Sequence, residues 1–242
     1  MPAAVDDILA ASVSGDLPRV EALLQAEPGL ATATNMLGSS AVHAAHYSGH
    51  RFIVQCLLAR GRTLDGFLAA ELGLVSELQA QLDRDPTFAR QFNATGSSAL
   101  HGACYWGSLA AARLLLERGA DVNALTRDSF LKIAPIGAAV AAPDVPNPSH
   151  DENVVLALVE LLVEHGADVN LPRRDGMTAL HAAAYRGHLQ VIRALLAAGA
   201  APTARSHADS GPHSGQTPID TALAQGQHAA ADLLRTTTPG KG

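Results

Sequence analysis

Apolar positions along this chain fall in short, regularly placed stripes. Pairs of aliphatic residues stand just ahead of a glycine: Leu57 and Leu58 before Gly61, Leu115 and Leu116 before Gly119, Leu162 and Val163 before Gly166, Leu195 and Leu196 before Gly199. A helix carrying one such stripe cannot bury it alone, so these segments predict amphipathic helices that stack on their neighbours. The glycines predict left-handed C-terminal positions, where a side chain would clash. Runs of small residues ahead of them (HAAH, HGAC, HAAA) predict first helices whose neighbours approach closely.

The pattern is periodic. GSSAVH at 38–43 returns as GSSALH at 96–101, and the same offset of 58 links Gly15 to Gly73, Pro28 to Pro86, Asn35 to Asn93 and Gly49 to Gly107. Residues 9–61 and 67–119 are two copies of one block, and a spacing of 34 between glycines (15 to 49, 73 to 107) divides each block again. GMTALHAAAYRGHLQVIRALLAAGA at 176–200 and TPIDTALAQGQHAAADLL at 217–234 carry the same unit, and LLVEHGADVN ends at 170 as LLLERGADVN ends at 123. Such periodicity is the mark of a repeat architecture.

These residues resemble the ankyrin repeat: a turn, TPLH, a short helix, GH, a second helix, then GADVN. The resemblance covers nearly the whole chain and implies an all-α solenoid of helix-turn-helix units with hairpin loops and a concave face. It predicts a single domain over 1–242, with units near 6–35, 36–65, 66–93, 94–128, 129–175 (carrying an insertion at 143–153), 176–215 and 216–237, then a flexible tail at 238–242. It also implies that His43, His101 and His181 hydrogen-bond neighbouring turns. Ser40, Ser98, Thr178 and Thr217 stand at the N-cap position of the first helices. Leu9, Phe67, Gly137 and Asp220 replace the histidine in the other units.

Composition agrees. Apolar residues make up 48% of the chain but aromatics only 4%, so the core is built of Ala, Leu and Val, a helix-forming mixture. A net charge of −6 without a basic run argues against nucleic acid. Two cysteines, no signal peptide and no apolar run of about 18 residues predict a reduced, cytoplasmic protein that meets no membrane. The Ala-rich, Lys-poor composition suggests a bacterial source. A secreted effector is a weaker third reading, since the sequence shows no export signal.

GSSALHGACYWGS, at 96–108, gathers serine, histidine, cysteine, tyrosine and the sole tryptophan, yet it is a copy of the repeat and so reads as framework rather than as a catalytic cluster. Cys104 occupies a slot that is alanine in other units, and Cys56 aligns with Leu114; both read as core residues. No phosphate loop, metal signature or nucleophile elbow is present, so neither cofactor nor metal is expected. His207, Asp209 and His213, in the long turn 205–215, have ligand-like spacing but no fourth partner.

Function is then sought where the framework is free to vary. All three tyrosines, Tyr47, Tyr105 and Tyr185, stand four places after a repeat histidine, followed by Ser48, Trp106 and Arg186. Tyr, Trp and Arg dominate binding hot spots. With the turn residues Met36, Leu37, Arg174 and Met177, and with His46, they form the expected partner-binding set. His46, in a slot that is Cys104 or Ala184 elsewhere, either lines a pocket or hydrogen-bonds a carbonyl. The leading expectation is a monomeric, non-catalytic module that grips another protein. The alternative is a small-molecule or enzymatic pocket lined by His46, Tyr47, Tyr105 and Trp106.

Overall fold

The computed structural model describes residues 2–36, 39–61, 65–128, 132–141, 151–207 and 214–237. Leu37, Asp209, His213, the insertion up to residue 150 and the tail 238–242 lie outside the described residues. Among the described residues the fold is all-helical. Its contacts divide it into two compact units, one built on Met1–Asp65 and the other on Gly66–Ala142 and Pro148–Gly242.

The first unit holds α1 (Pro2–Ser14), α2 (Leu17–Ala26), α3 (Ala41–Tyr47) and α4 (Arg51–Arg60). Helix α1 packs on α3 and α2 on α4, while a short 3-10 turn, Pro28–Ala31, seals their ends. Ile8, Val20, Leu24, Ile53 and Leu57 are buried between them. The second unit holds α5 (Gly66–Glu71), α6 (Val75–Arg84), α7 (Ala99–Tyr105), α8 (Leu109–Glu117), α9 (Pro135–Val140), α10 (Glu152–Glu164), α11 (Ala179–Arg186), α12 (Leu189–Ala197), α13 (Pro218–Ala224) and α14 (His228–Thr237).

In this second unit the odd-numbered helices form one row, α5 on α7 on α9 on α11 on α13, and the even-numbered helices α6 to α14 form another. The first row is lined by small side chains: Ala103, Ala138, Ala139, Ala183, Ala184 and Ala222 are all buried. The second row contributes the aliphatic stripe. Leu115, Leu162 and Leu195 are fully buried, each worth about 1.5–3 kcal/mol of transfer free energy. The second member of each apolar pair is less deeply placed, as the rotation of about 100° per helical residue requires.

The predicted N-caps form. Ser40 and Ser98 accept from the N–H groups of His43 and His101, and Thr217 from Asp220 N–H. Asp151, which precedes α10, accepts from Asn153 N–H. Gly119, Gly166 and Gly199 take the left-handed conformation (φ +81°, +85° and +90°). Gly61 does not. Its φ is −173°, which is extended backbone, and its requirement is space: a Cβ there would stand 2.7 Å from Thr32 Cγ2.

Candidate partner-binding surface

Histidines, asparagines and one arginine tie successive repeats of the second unit together. His101, 3% exposed, meets Ser98 Oγ through Nδ1 (2.7 Å), and its Nε2 lies 2.9 Å from the Ile133 carbonyl. His181 does the same with Thr178 Oγ1 (3.0 Å) and the Gln216 carbonyl (3.1 Å). Burial pulls both imidazoles below their ordinary pKa, and the carbonyl bonds oppose that shift. With both ring nitrogens engaged, these histidines organise the backbone and leave no nitrogen for acid–base work.

Asn123 donates from Nδ2 to the Gly166 carbonyl (3.0 Å) and accepts from Asp168 N–H (2.8 Å). Asn170 repeats the pattern with the Gly199 carbonyl and Ala201 N–H (3.0 and 2.8 Å). Where this asparagine is lacking, Arg90 Nε donates to the Gly119 carbonyl (2.9 Å). Hairpins add a third set of ties. Arg127 N–H donates to the Gly96 carbonyl and His207 N–H to the Asp175 carbonyl, both at 2.8 Å.

A family model for ankyrin repeats (three copies) matches residues 8–126 and 151–240. The chain belongs to the ankyrin repeat family. Ankyrin repeats are generally protein–protein interaction modules. A comparison with curated proteins returned no match.

Against the ankyrin framework, the expected binding residues separate into two groups. In the first unit Tyr47, 48% exposed, stacks on His43 (ring centroids 6.3 Å apart) and tilts against His46 (5.5 Å). His46 and Ser48 are half-buried, and Met36 is fully exposed. In the second unit Tyr105 and Trp106 meet edge to face at 5.6 Å. Tyr185 is 42% exposed and Arg186 half-buried. Burial lowers the Arg186 pKa, while electrostatic contact with Tyr185 and with Tyr105, two first-row helices away, raises it. Between them, the small Ala141 follows α9 in the tyrosine slot.

Arg174 is exposed as expected, but Met177 is not available to a partner. It is 5% exposed, held inside its hairpin where Arg173 pairs with Asp175 and lies 3.2 Å from the Met177 sulfur. The two cysteines differ: Cys104 is a core residue as expected, whereas Cys56 is only partly buried. Cys104 is 1% exposed and burial pushes its thiol far above the usual range. Cys56 Sγ accepts from Arg60 Nη1 on the same helix.

Sequence reasoning missed Glu71. It stands four places after Phe67, in the slot that holds tyrosine elsewhere, and is 9% exposed. Its side chain packs over Gly102 of the next repeat, where an added Cβ would come within 2.8 Å of Glu71 Cγ. The four-residue register is its signal, although no aromatic residue marks the slot. Among the described residues no helix is long and apolar enough to cross a membrane, and no group of three or more His, Cys, Asp or Glu side chains is placed to hold a metal ion.

Proposed function

We propose that this ankyrin repeat protein is a non-catalytic interaction module whose second unit holds a partner protein against Tyr105, Trp106, Tyr185 and Arg186. The observation that carries the reading is that Tyr105 pairs edge to face with Trp106 at one first-row helix end and exposed Tyr185 stands beside half-buried Arg186 at another. Large rings and a partly desolvated guanidinium there combine contact area with hydrogen-bond donors. The helices beneath are tied by buried histidines, so the surface needs little ordering when a partner arrives. A cavity of about 900 Å³ in the first unit, between α1 and residues 26–36, is lined by none of His46, Tyr47, Tyr105 or Trp106, so it lends no support to a pocket built from those side chains.

The test is affinity capture from the native lysate with wild type beside Tyr185→Ala/Arg186→Ala, two substitutions at one helix end whose folding circular dichroism checks. Proteins retained by wild type and lost by the variant support this surface. Identical capture by both would overturn it.

A further inference from the structure

Among the described residues two arginines, Arg173 and Arg186, are half-buried, and the others are exposed. Their surroundings differ. Arg173 pairs with Asp175 through both arms of its guanidinium, Nε donating at 3.2 Å. Arg186 forms no ion pair and no side-chain hydrogen bond among the described residues. Glu152 extends to the start of α12, four residues beyond Arg186, but its carboxylate accepts from Gln190 N–H (2.6 Å). The groups in electrostatic contact with the Arg186 guanidinium are Tyr185 and Tyr105, phenols rather than carboxylates.

Arg186 is the last residue of α11, where a cation meets the partial negative charge of a helix C-terminus. That accounts for an arginine at this helix end but not for its burial. Arg60 and Arg84 close α4 and α6 in the same way, and both are exposed. A helix terminus carries only about half an elementary charge, less than the full counter-charge that Asp175 brings to Arg173. The planar guanidinium fits a carboxylate through two parallel hydrogen bonds. At Arg173 the chain makes that fit itself. At Arg186, beside the exposed ring of Tyr185, it is left to whatever docks there.

We propose that the partner held at this surface presents an acidic side chain, Asp or Glu, whose carboxylate pairs with the Arg186 guanidinium while its neighbouring residues lie against Tyr185. The inference rests on the surface proposed above and adds the chemistry of the segment that fits it. The chain's net charge of −6 repels an acidic segment at long range. Salt at 0.1 M screens that field beyond about 10 Å, so the pair formed at contact decides the outcome.

The test is selection of a phage-displayed library of random twelve-residue peptides on the full chain, beside Arg186→Gln and Tyr185→Ala baits whose folding circular dichroism checks. Wild type is expected to enrich peptides that share one Asp or Glu and that bind Tyr185→Ala more weakly. Changing that acid to Asn or Gln should weaken binding to wild type about tenfold and leave binding to Arg186→Gln unchanged, as a charge-assisted pair requires. Peptides that need Tyr185 but share no acid, or whose acid matters equally to Arg186→Gln, would overturn the carboxylate pairing and leave the surface standing. If no peptide is enriched, or if those enriched bind both variants as well as wild type, the pairing and the surface fail together.

Discussion

The sequence GSSA-aliphatic-His occurs twice, at 38–43 and 96–101, and the two copies live in different surroundings. In both, the serine caps its helix and the histidine Nδ1 meets the serine hydroxyl, at 2.9 Å in the first unit and 2.7 Å in the second. Beyond that bond they part. His101 is sealed and its Nε2 meets the carbonyl of Ile133, which follows in the next repeat and also accepts from Thr126 N–H. His43 keeps 27% of its side chain in solvent, and its Nε2 lies 3.8 Å from the exposed carboxylate of Asp65. The motif specifies the cap, and the next repeat decides whether the ring becomes a structural tie.

The largest effect should come from breaking the tie. His101→Ala removes the ring's bonds to the Ile133 carbonyl and the Ser98 hydroxyl and leaves a void in a sealed site, an expected loss of about 2–4 kcal/mol, whereas His43→Ala should cost about 1 kcal/mol or less. Urea unfolding of both variants tests this, and equal losses would erase the distinction. The closing glycines provide a second contrast. Gly119→Ala forces a side chain into a left-handed residue and should cost about 1–2 kcal/mol, whatever its neighbours. Gly61→Ala should cost a similar amount of about 1 kcal/mol through its clash with Thr32, and Thr32→Ser should recover most of it by removing Cγ2. Thermal unfolding of the single and double variants would separate strain from crowding.

A smaller effect depends on pH. His101 and His181 have folded pKa values below the ordinary 6.5, so the unfolded chain takes up protons that the native state refuses. Stability from this source is complete above about pH 6.5 and is lost as pH falls through that value, by up to about 1 kcal/mol for each group per pH unit. His101→Gln/His181→Gln should therefore flatten the stability profile between about pH 7 and 5. The smallest change concerns Asp220, which takes the histidine's place in the last helix pair. Bonds from the Thr217 N–H and hydroxyl hold its carboxyl below the ordinary 3.8. Its depressed pKa stabilises the fold above that value and the benefit fades as pH drops further, so Asp220→Asn should matter at neutral pH by about 0.5–1 kcal/mol and little near pH 2.

Helix pairs, N-caps and the buried aliphatic stripe were legible because each recurs at a fixed offset and answers to a local rule. What escaped depended on residues distant in sequence. Gly61 and Gly119 align perfectly, yet one is extended and the other left-handed, a difference that no single-repeat comparison contains. By sequence Met177 is a turn residue open to solvent, but Arg173, paired with Asp175, lies against its sulfur and the side chain is buried. The first-unit groove joins α1 to residues 26–36, and its floor exists only once these segments pack. The tyrosine register was legible, but Glu71 in the same slot carries charge rather than an aromatic ring.

Asn123 and Asn170 each hold two backbone groups of the following repeat with one carboxamide, and neither bond involves a surface side chain of that repeat. The attachment reads only main-chain carbonyls and amides. Repeats joined in this way are interchangeable parts: selection can rewrite their exposed helix ends, or duplicate a whole block, without renegotiating how one part is fastened to the next.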